Sequence, residues 1–156
     1  MVKIPFTPEG YERLSNELSH LKKVERPAAI KAIEEARAHG DLSENAEYDA
    51  AKDRQGFVEA RINELEYKLA SADVINPDNV TADKATFGTH VVLENLDTGE
   101  EVEYYLVGPD ECDVSQGKIS IESPLGKGLL GKCEGDEIGI QVPGGRRSYE
   151  LIKIYI

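Results

Sequence analysis

The stretch that decides the fold is Arg37-Ala38-His39-Gly40-Asp41-Leu42-Ser43-Glu44-Asn45-Ala46-Glu47-Tyr48, because helical sequence patterns run into it from both sides. Glycine commonly lies just past a helix C-terminus, so Gly40 predicts the end of the first helical arm. A second helical pattern begins directly after the stretch. We therefore interpret it as the turn of a helical hairpin, with the tip at residues 39–45.

The first arm begins with Thr7-Pro8-Glu9, where Thr7 can cap a helix and Pro8 suits its first position. Three leucines follow at spacings of four and three, which is typical of one helical stripe. Pro27 interrupts this pattern. Because proline lacks an N–H and crowds the preceding turn, it predicts a kink or brief break at residues 25–26.

The second arm carries an apolar heptad seam with one polar member. The seam consists of Ala51, Gln55, Val58, Ile62, Leu65, Leu69 and Ala72. We predict a helix that ends around Asp73 and packs against the first arm as an antiparallel coiled coil. Arms of about 30 residues would make the hairpin on the order of 45 Å long. Near the turn the seam is mostly alanine, which predicts a slender distal end suited to reaching into another molecule.

The C-terminal half shows a different periodicity. Residues 76–86 are polar and turn-rich, and the apolar spacing after them changes to two, which is typical of strands. Strand patterns and one short helix at residues 123–131 predict a bent antiparallel sheet folded over that helix. The predicted fold class is α+β, with domains at residues 1–76 and 77–156.

Composition limits the possible functions. The chain has 30 acidic and 18 basic residues, a formal net charge of −12, which excludes duplex DNA binding through a general basic footprint. Its two cysteines lack zinc-site spacing, and no segment approaches a signal peptide or a membrane span. We expect a cytoplasmic protein without a membrane partner. No nucleophile, base and orienting group can be assembled from the C-terminal half, so we do not expect an enzyme.

Two carboxylates in the turn, Asp41 and Glu44, have two interpretations. Asp-x-x-Glu at a helix start is the pattern of a capping box. The same spacing also places two hard oxygen ligands on one tip, where they could share a divalent ion. Two carboxylates are too few for a complete Mg²⁺ cage, so the other ligands would come from another molecule. Nearby basic residues, Arg37 and Lys52 among them, suit a phosphate chain brought to this tip.

The tip sequence closely resembles the hairpin tip of the bacterial Gre-type transcript cleavage factors, in particular their GreA branch. Ile4-Pro5, Gly56-Phe57, residues 123–131 and Pro143-Gly144-Gly145 also match this family, and the resemblance covers essentially the whole chain. It implies an antiparallel coiled coil followed by a C-terminal domain similar to FK506-binding proteins. Ser43 stands where some members carry lysine, so one basic contact is missing.

The resemblance also implies a partner and a mechanism. The C-terminal domain would dock on RNA polymerase, and the hairpin would enter the secondary channel. Asp41 and Glu44 would help to hold a second Mg²⁺ in the polymerase active centre, with no cofactor stably bound to the free protein. The polymerase would then hydrolyse the 3′ end of backtracked nascent RNA. The family's basic patch corresponds to Arg37, Lys52 and Arg26, which would contact that RNA.

The remaining expectations concern docking and oligomeric state. The resemblance implies that four residues of the C-terminal domain contact polymerase: Ser123, Pro124, Leu125 and Gly126. We expect a monomer. Two alternatives stay open: a channel-binding inhibitory paralogue, for which an altered acidic tip would be expected, and a coiled-coil adaptor without a metal role.

Overall fold

A helical hairpin occupies the N-terminal half of the computed structural model, which describes residues 2–39 and 45–156. Its first arm contains helix α1 (Pro8–His20), a π-helical turn (Leu21–Glu25) and helix α2 (Arg26–Arg37). Its second arm is the single helix α3 (Ala46–Ala70). At about 1.5 Å per residue, α3 is roughly 37 Å long. The predicted hairpin is confirmed.

The π-helical turn is explained by Pro27. This residue has no N–H to donate, and its ring crowds the carbonyl four residues earlier. The chain widens just before it, where the N–H of Arg26 donates to the carbonyl of Leu21, five residues back. The interruption predicted at residues 25–26 is therefore confirmed, and it takes the form of one wider helical turn.

The two arms run antiparallel. Close to the turn, the Asn45 side chain donates to the carbonyl of Ala36, and far from it Lys22 pairs with Glu66 at 2.7 Å. Within α3, the large buried side chains lie in the half far from the turn. The buried residues of α2 and α3 are Ala29, Ala36, Ala51, Val58, Ile62 and Leu65. The seam near the turn thus consists of buried alanine, as predicted.

The end of the second arm differs from the prediction. Helix α3 ends at Ala70 rather than around Asp73, and residues 72–74 form strand β2 (Ala72–Val74). This strand pairs in parallel with β1 (Ile4–Phe6), in which Phe6 is fully buried. The heptad pattern predicted that Ala72 is helical. Backbone hydrogen bonds to β1, near the start of the chain, place it in a strand instead.

A five-stranded sheet forms the C-terminal half. Its strands are β3 (His90–Asn95), β4 (Glu101–Val107), β5 (Lys118–Ser120), β6 (Glu137–Val142) and β7 (Gly145–Tyr155). The spatial order is β5-β4-β3-β7-β6. Strands β4 and β5 pair in parallel and the other neighbours are antiparallel, so the sheet is mixed rather than wholly antiparallel as predicted. The connection at residues 108–117 returns the chain to the same end of the sheet, which allows the parallel pairing.

One face of this sheet packs against the short helix α4 (Pro124–Leu129), as predicted for residues 123–131. Val91 and Leu93 alternate with half-exposed neighbours along β3. The core cluster consists of Ala85, Val91, Leu93, Leu106, Ile119, Leu129, Ile138, Ile140, Leu151 and Ile154. The period-two pattern of the sequence thus identified the core face of these strands.

The chain divides by contact into two units. One comprises Tyr11–Ser71, and the other comprises Val2–Gly10 together with Ala72–Ile156. Glu111, only 5% exposed, holds the N-terminal segment in the second unit: its carboxylate accepts from the N–H of Thr7 at 2.9 Å and from the Thr7 hydroxyl. The sequence prediction assigned residues 1–76 to the hairpin and residues 77–156 to the C-terminal domain.

Candidate functional site at the hairpin turn

The described residues at the turn are fixed by Asn45. Its Oδ1 accepts from the N–H of Tyr48 at 3.1 Å, which caps α3, and its Nδ2 donates to the carbonyl of Ala36 at 2.7 Å. One side chain therefore satisfies groups at the ends of both helices. Asp41 and Glu44, the predicted carboxylate pair, lie outside the described residues.

The N-terminal cap of α3 is Asn45. A capping box on α3 would require Asp41 as the cap and Glu44 as the third helical residue. Helix α3 instead begins at Ala46, with Asn45 as its cap. Asp41 is therefore not the cap of α3, and the rest of the capping-box interpretation concerns residues outside the described ranges. Asn45 was overlooked, although asparagine is among the most favourable capping residues and directly precedes a helical pattern.

Replacing Asn45 should loosen the turn. We expect Asn45→Ala to lower the free energy of unfolding by about 0.5–2 kcal/mol, because α3 loses its cap. Asn45→Asp keeps an acceptor for the N–H of Tyr48 and removes the donor to Ala36, so its loss should be smaller. Denaturant unfolding followed by helical circular dichroism measures both. Equal stabilities for wild type and Asn45→Ala would contradict a capping role.

Two predicted basic residues meet beside the turn. Arg37 ends α2 and Lys52 lies in the second turn of α3, and both are exposed. The Arg37 Cζ lies 5.9 Å and the Lys52 Nζ 5.5 Å from the centroid of the Tyr48 ring. Within the described part of the chain, neither cation pairs with a carboxylate. A cleft of about 260 Å³ at this place is lined by Ile30, Ile33, Glu34, Arg37, Tyr48, Lys52 and Gln55.

The third predicted basic residue, Arg26, has a partner on the other arm. Its Nε and Nη2 donate to the two carboxylate oxygens of Glu59 at 2.7 and 2.9 Å. This hydrogen bonding lowers the pKa of Glu59 and raises that of Arg26. The structure therefore brings Arg37 and Lys52 together on one ring, whereas Arg26 is bound to Glu59.

The pH dependence of the hairpin follows from the lowered pKa of Glu59. A carboxyl whose pKa is lower in the folded state stabilises the fold above its unfolded pKa, ordinarily near 4.5, and this contribution disappears as the pH falls through the folded pKa. We expect Glu59→Gln to lower the melting temperature at neutral pH, and the difference from wild type to vanish in acid. Melting curves from about pH 7 to pH 2.5 test this.

The matched control is Glu12→Gln, since Glu12 is exposed and has no ion pair among the described residues. It should leave the melting temperature nearly unchanged throughout the titration. A difference between wild type and Glu59→Gln that stayed constant down to the lowest pH would contradict the assignment, because the charge of Glu59 would then not be involved.

A metal site cannot be built from the described residues alone. Within residues 2–39 and 45–156, no group of three or more His, Cys, Asp and Glu side chains could hold a metal ion. In the same ranges, none of the helices is long and apolar enough to cross a membrane.

The four predicted docking residues lie at the start of α4. The Ser123 hydroxyl caps this helix by accepting from the N–H of Gly126 at 3.0 Å, and it donates to the carbonyl of Ser120 at 2.6 Å. Pro124 is exposed and Gly126 is buried. Leu125 lines an apolar cleft of about 240 Å³ together with Ile140, Val142, Pro143, Gly144, Arg147 and Tyr149.

His90 has a packing role. Its ring stacks on Tyr105 at 4.3 Å and on Tyr155 at 4.8 Å between centroids, across three neighbouring strands. Burial raises the pKa of Tyr105, and the nearby carboxylates of Glu9 and Glu111 add to this increase. The stack has the geometry of cross-strand pairing.

The two units define the class of protein. A helical hairpin with two cations over one aromatic ring beside its turn is followed along the chain by a sheet unit, and these are the parts of a two-domain α+β protein. Comparison with known proteins is more specific. The model of the transcription elongation factor N-terminal domain matches residues 4–74, and that of the GreA/GreB C-terminal domain matches residues 80–156. The chain belongs to the GreA/GreB family of transcription elongation factors.

Individual relatives support this assignment. The chain is 57% identical over 152 residues to transcription elongation factor GreA of Thermodesulfovibrio yellowstonii, covering 97% of this chain and 96% of that protein. It is 56% identical over 155 residues to GreA of Neisseria meningitidis serogroup A, covering 99% and 98%.

The chain also matches solved structures along nearly its whole length. GreA factor homolog 1 (Gfh1) of Thermus thermophilus is 31% identical, with a TM-score of 0.45 and coverage of 99% of both chains. The transcription elongation factor GreA/GreB from Nitrosomonas europaea is 26% identical, with a TM-score of 0.44 and coverage of 99% and 100%.

Proposed function

We propose that this chain binds RNA polymerase, inserts its hairpin into the secondary channel and stimulates Mg²⁺-dependent cleavage of backtracked nascent RNA. The observation that carries the proposal is the pair of cations, Arg37 and Lys52, held on Tyr48 directly beside the turn. These cations supply positive charge for RNA phosphates at the point where the chain also carries Asp41 and Glu44. The names of the relatives, which are elongation factors, support the same process.

The carboxylates of the turn suit a shared metal ion. Mg²⁺ commonly takes one or two protein carboxylates and completes its shell with water and with groups from other molecules. Asp41 and Glu44 supply two such ligands, and the polymerase active centre supplies the others. When bound there, the ion would activate water and stabilise charge on the phosphate. The chain is therefore a cofactor of the polymerase reaction.

Within this proposal the other residues hold the turn in place. Asn45 connects the start of α3 to the end of α2, so the backbone on both sides of the carboxylates is constrained. The segment Ser123, Pro124, Leu125 and Gly126 docks on polymerase, with Pro124 exposed for contact. One monomer would act on one polymerase.

The proposed function is tested with stalled transcription complexes. RNA polymerase is backtracked on a template with 5′-labelled RNA, and the purified protein is added with Mg²⁺. We expect shortened transcripts that are extended again when nucleotides are supplied. Polymerase binding without shortening would favour an inhibitory paralogue. The absence of polymerase binding would favour a coiled-coil adaptor, and either result would overturn the proposal.

A further inference from the structure

We propose that Tyr48 is a positioning residue that holds Arg37 and Lys52 together as a two-cation site for the phosphodiester backbone of single-stranded RNA. This inference rests on the proposed function and adds to it a residue that was not among the predicted site residues. Tyr48 is the third residue of α3, and its N–H is fixed by the Asn45 cap. The backbone that carries the Tyr48 ring is therefore held in place by this hydrogen bond.

The two cations reach this ring from different arms. Lys52 lies four residues after Tyr48 on α3, so both side chains share one helix face. Arg37 is the last residue of α2, on the opposite arm. Their charged groups lie 5.5 and 5.9 Å from the ring centroid, within the range of a cation–π interaction. One half-buried aromatic ring thus connects basic residues that are distant in sequence.

Two cations that approach the same ring repel each other, so an attractive group is needed to keep both of them there. The negative face of an aromatic ring attracts both cations without neutralising either. A carboxylate, in contrast, neutralises the cation that it binds. Elsewhere in the hairpin, each of the following cations pairs with a glutamate: Lys22, Arg26, Arg54 and Arg61. Among the described residues, no ion pair with a carboxylate is seen for Arg37 or Lys52.

The chemistry of this site fits an RNA backbone. The planar guanidinium of Arg37 can donate two parallel hydrogen bonds to a phosphate, and Lys52 adds a compact charge. The cleft around them includes apolar side chains, Ile30 and Ile33, and the amide of Gln55. Single-stranded nucleic acids are commonly bound by cations and aromatic rings arranged along a groove. One carboxylate, Glu34, also lines the cleft, so we expect binding only where a phosphate is delivered directly to the cations.

The test compares two substitutions of Tyr48 in the backtracked-complex assay. Tyr48→Phe keeps the ring and should cleave like wild type. Tyr48→Leu removes the ring, and we expect the cleavage rate at saturating protein to fall roughly 5-fold while the affinity for polymerase without RNA is unchanged. Tyr67→Leu is the matched control, because Tyr67 is an exposed tyrosine of the same helix, 58% accessible, and its loss should change neither quantity.

A mutant cycle separates positioning from a structural effect. In an Arg37→Gln, Lys52→Gln background, Tyr48→Leu should cause no further loss of cleavage, because the ring has no cations to hold. A full 5-fold loss in that background would overturn the inference, as would equal rates for wild type and Tyr48→Leu.

A measurement on the free protein keeps this test independent of the proposed function. Protons next to the Lys52 Nζ should show an upfield ring-current shift in the NMR spectra of wild type and Tyr48→Phe, and Tyr48→Leu should lose it. If wild type fails to stimulate cleavage, the proposed function is wrong while this shift still tests the cation arrangement. If the shift is absent in wild type, the positioning role of Tyr48 is wrong.

Discussion

Asp41→Ala and Glu44→Ala are each expected to reduce stimulated RNA cleavage by roughly 100-fold or more, which is the usual cost of removing one group that stabilises a transition state. Each substitution removes one of the two oxygen ligands that the chain offers to a shared Mg²⁺. Gel analysis of labelled RNA from backtracked complexes measures the loss. A higher Mg²⁺ concentration should partly restore cleavage, because the ion would then bind with fewer protein ligands.

Folding and polymerase binding should be unaffected by these two substitutions. Asn45, rather than Asp41, caps α3, so the helix does not require the carboxylates of the turn. Glu47→Gln is the matched control, because Glu47 is an exposed carboxylate in the first turn of α3 whose Oε2 lies 3.8 Å from the Nδ1 of His39. It should cleave like wild type. Unchanged cleavage by the Asp41 and Glu44 variants, or a parallel loss of polymerase binding, would contradict a metal-binding role.

The sequence predicted those features that depend on neighbouring residues. Helical spacing located both arms, and the missing N–H of Pro27 located the irregular turn that the structure shows at residues 21–25. Period-two spacing located the strands of the larger sheet. Arg37 and Lys52 were selected by the family resemblance, and the structure shows them on one ring. The role of Asp41 and Glu44 stays a prediction.

The features that sequence reasoning missed depend on contacts between distant residues. Strand β2 forms because β1, near the start of the chain, provides its backbone partners. Glu111 holds Thr7 across 104 positions of sequence, and no local pattern indicates such a pair. The parallel pairing of β5 with β4 likewise depends on the path of residues 108–117. In each case the hydrogen-bond partner is distant in sequence, so it can be identified only from the three-dimensional structure.

Gly126→Ala is expected to destabilise the C-terminal unit by about 2–3 kcal/mol, a cost typical of overpacking a core. A Cβ at this position would lie well inside van der Waals contact with the carbonyl oxygen of Ser120, and 3.0 Å from the Cα of Ile121. Both neighbours are backbone atoms, so neither can move aside as a flexible side chain would. The same carbonyl accepts from the Ser123 hydroxyl, so its displacement would also disturb the cap of α4.

Gly128→Ala separates this steric cost from a general effect of replacing glycine in a short helix. A Cβ at position 128 would meet the Ile140 Cγ1 at 3.7 Å, an ordinary contact, and alanine favours the helix by about 0.5–1 kcal/mol. We therefore expect this variant to be as stable as wild type or slightly more stable. Denaturant unfolding followed by near-ultraviolet tyrosine signals of the sheet measures both variants. Equal stability of Gly126→Ala and Gly128→Ala would contradict the close-packing argument.

This comparison also defines the role of Gly126 in the proposed polymerase docking. Gly126 is buried, so it would support docking by allowing α4 to approach Ser120 rather than by contacting a partner. We expect Gly126→Ala to bind polymerase weakly at temperatures where the C-terminal unit unfolds, and to recover binding on cooling. Weak binding by a fully folded variant would contradict this supporting role. It would show that residue 126 contacts the partner directly, because only then would the binding defect be independent of stability.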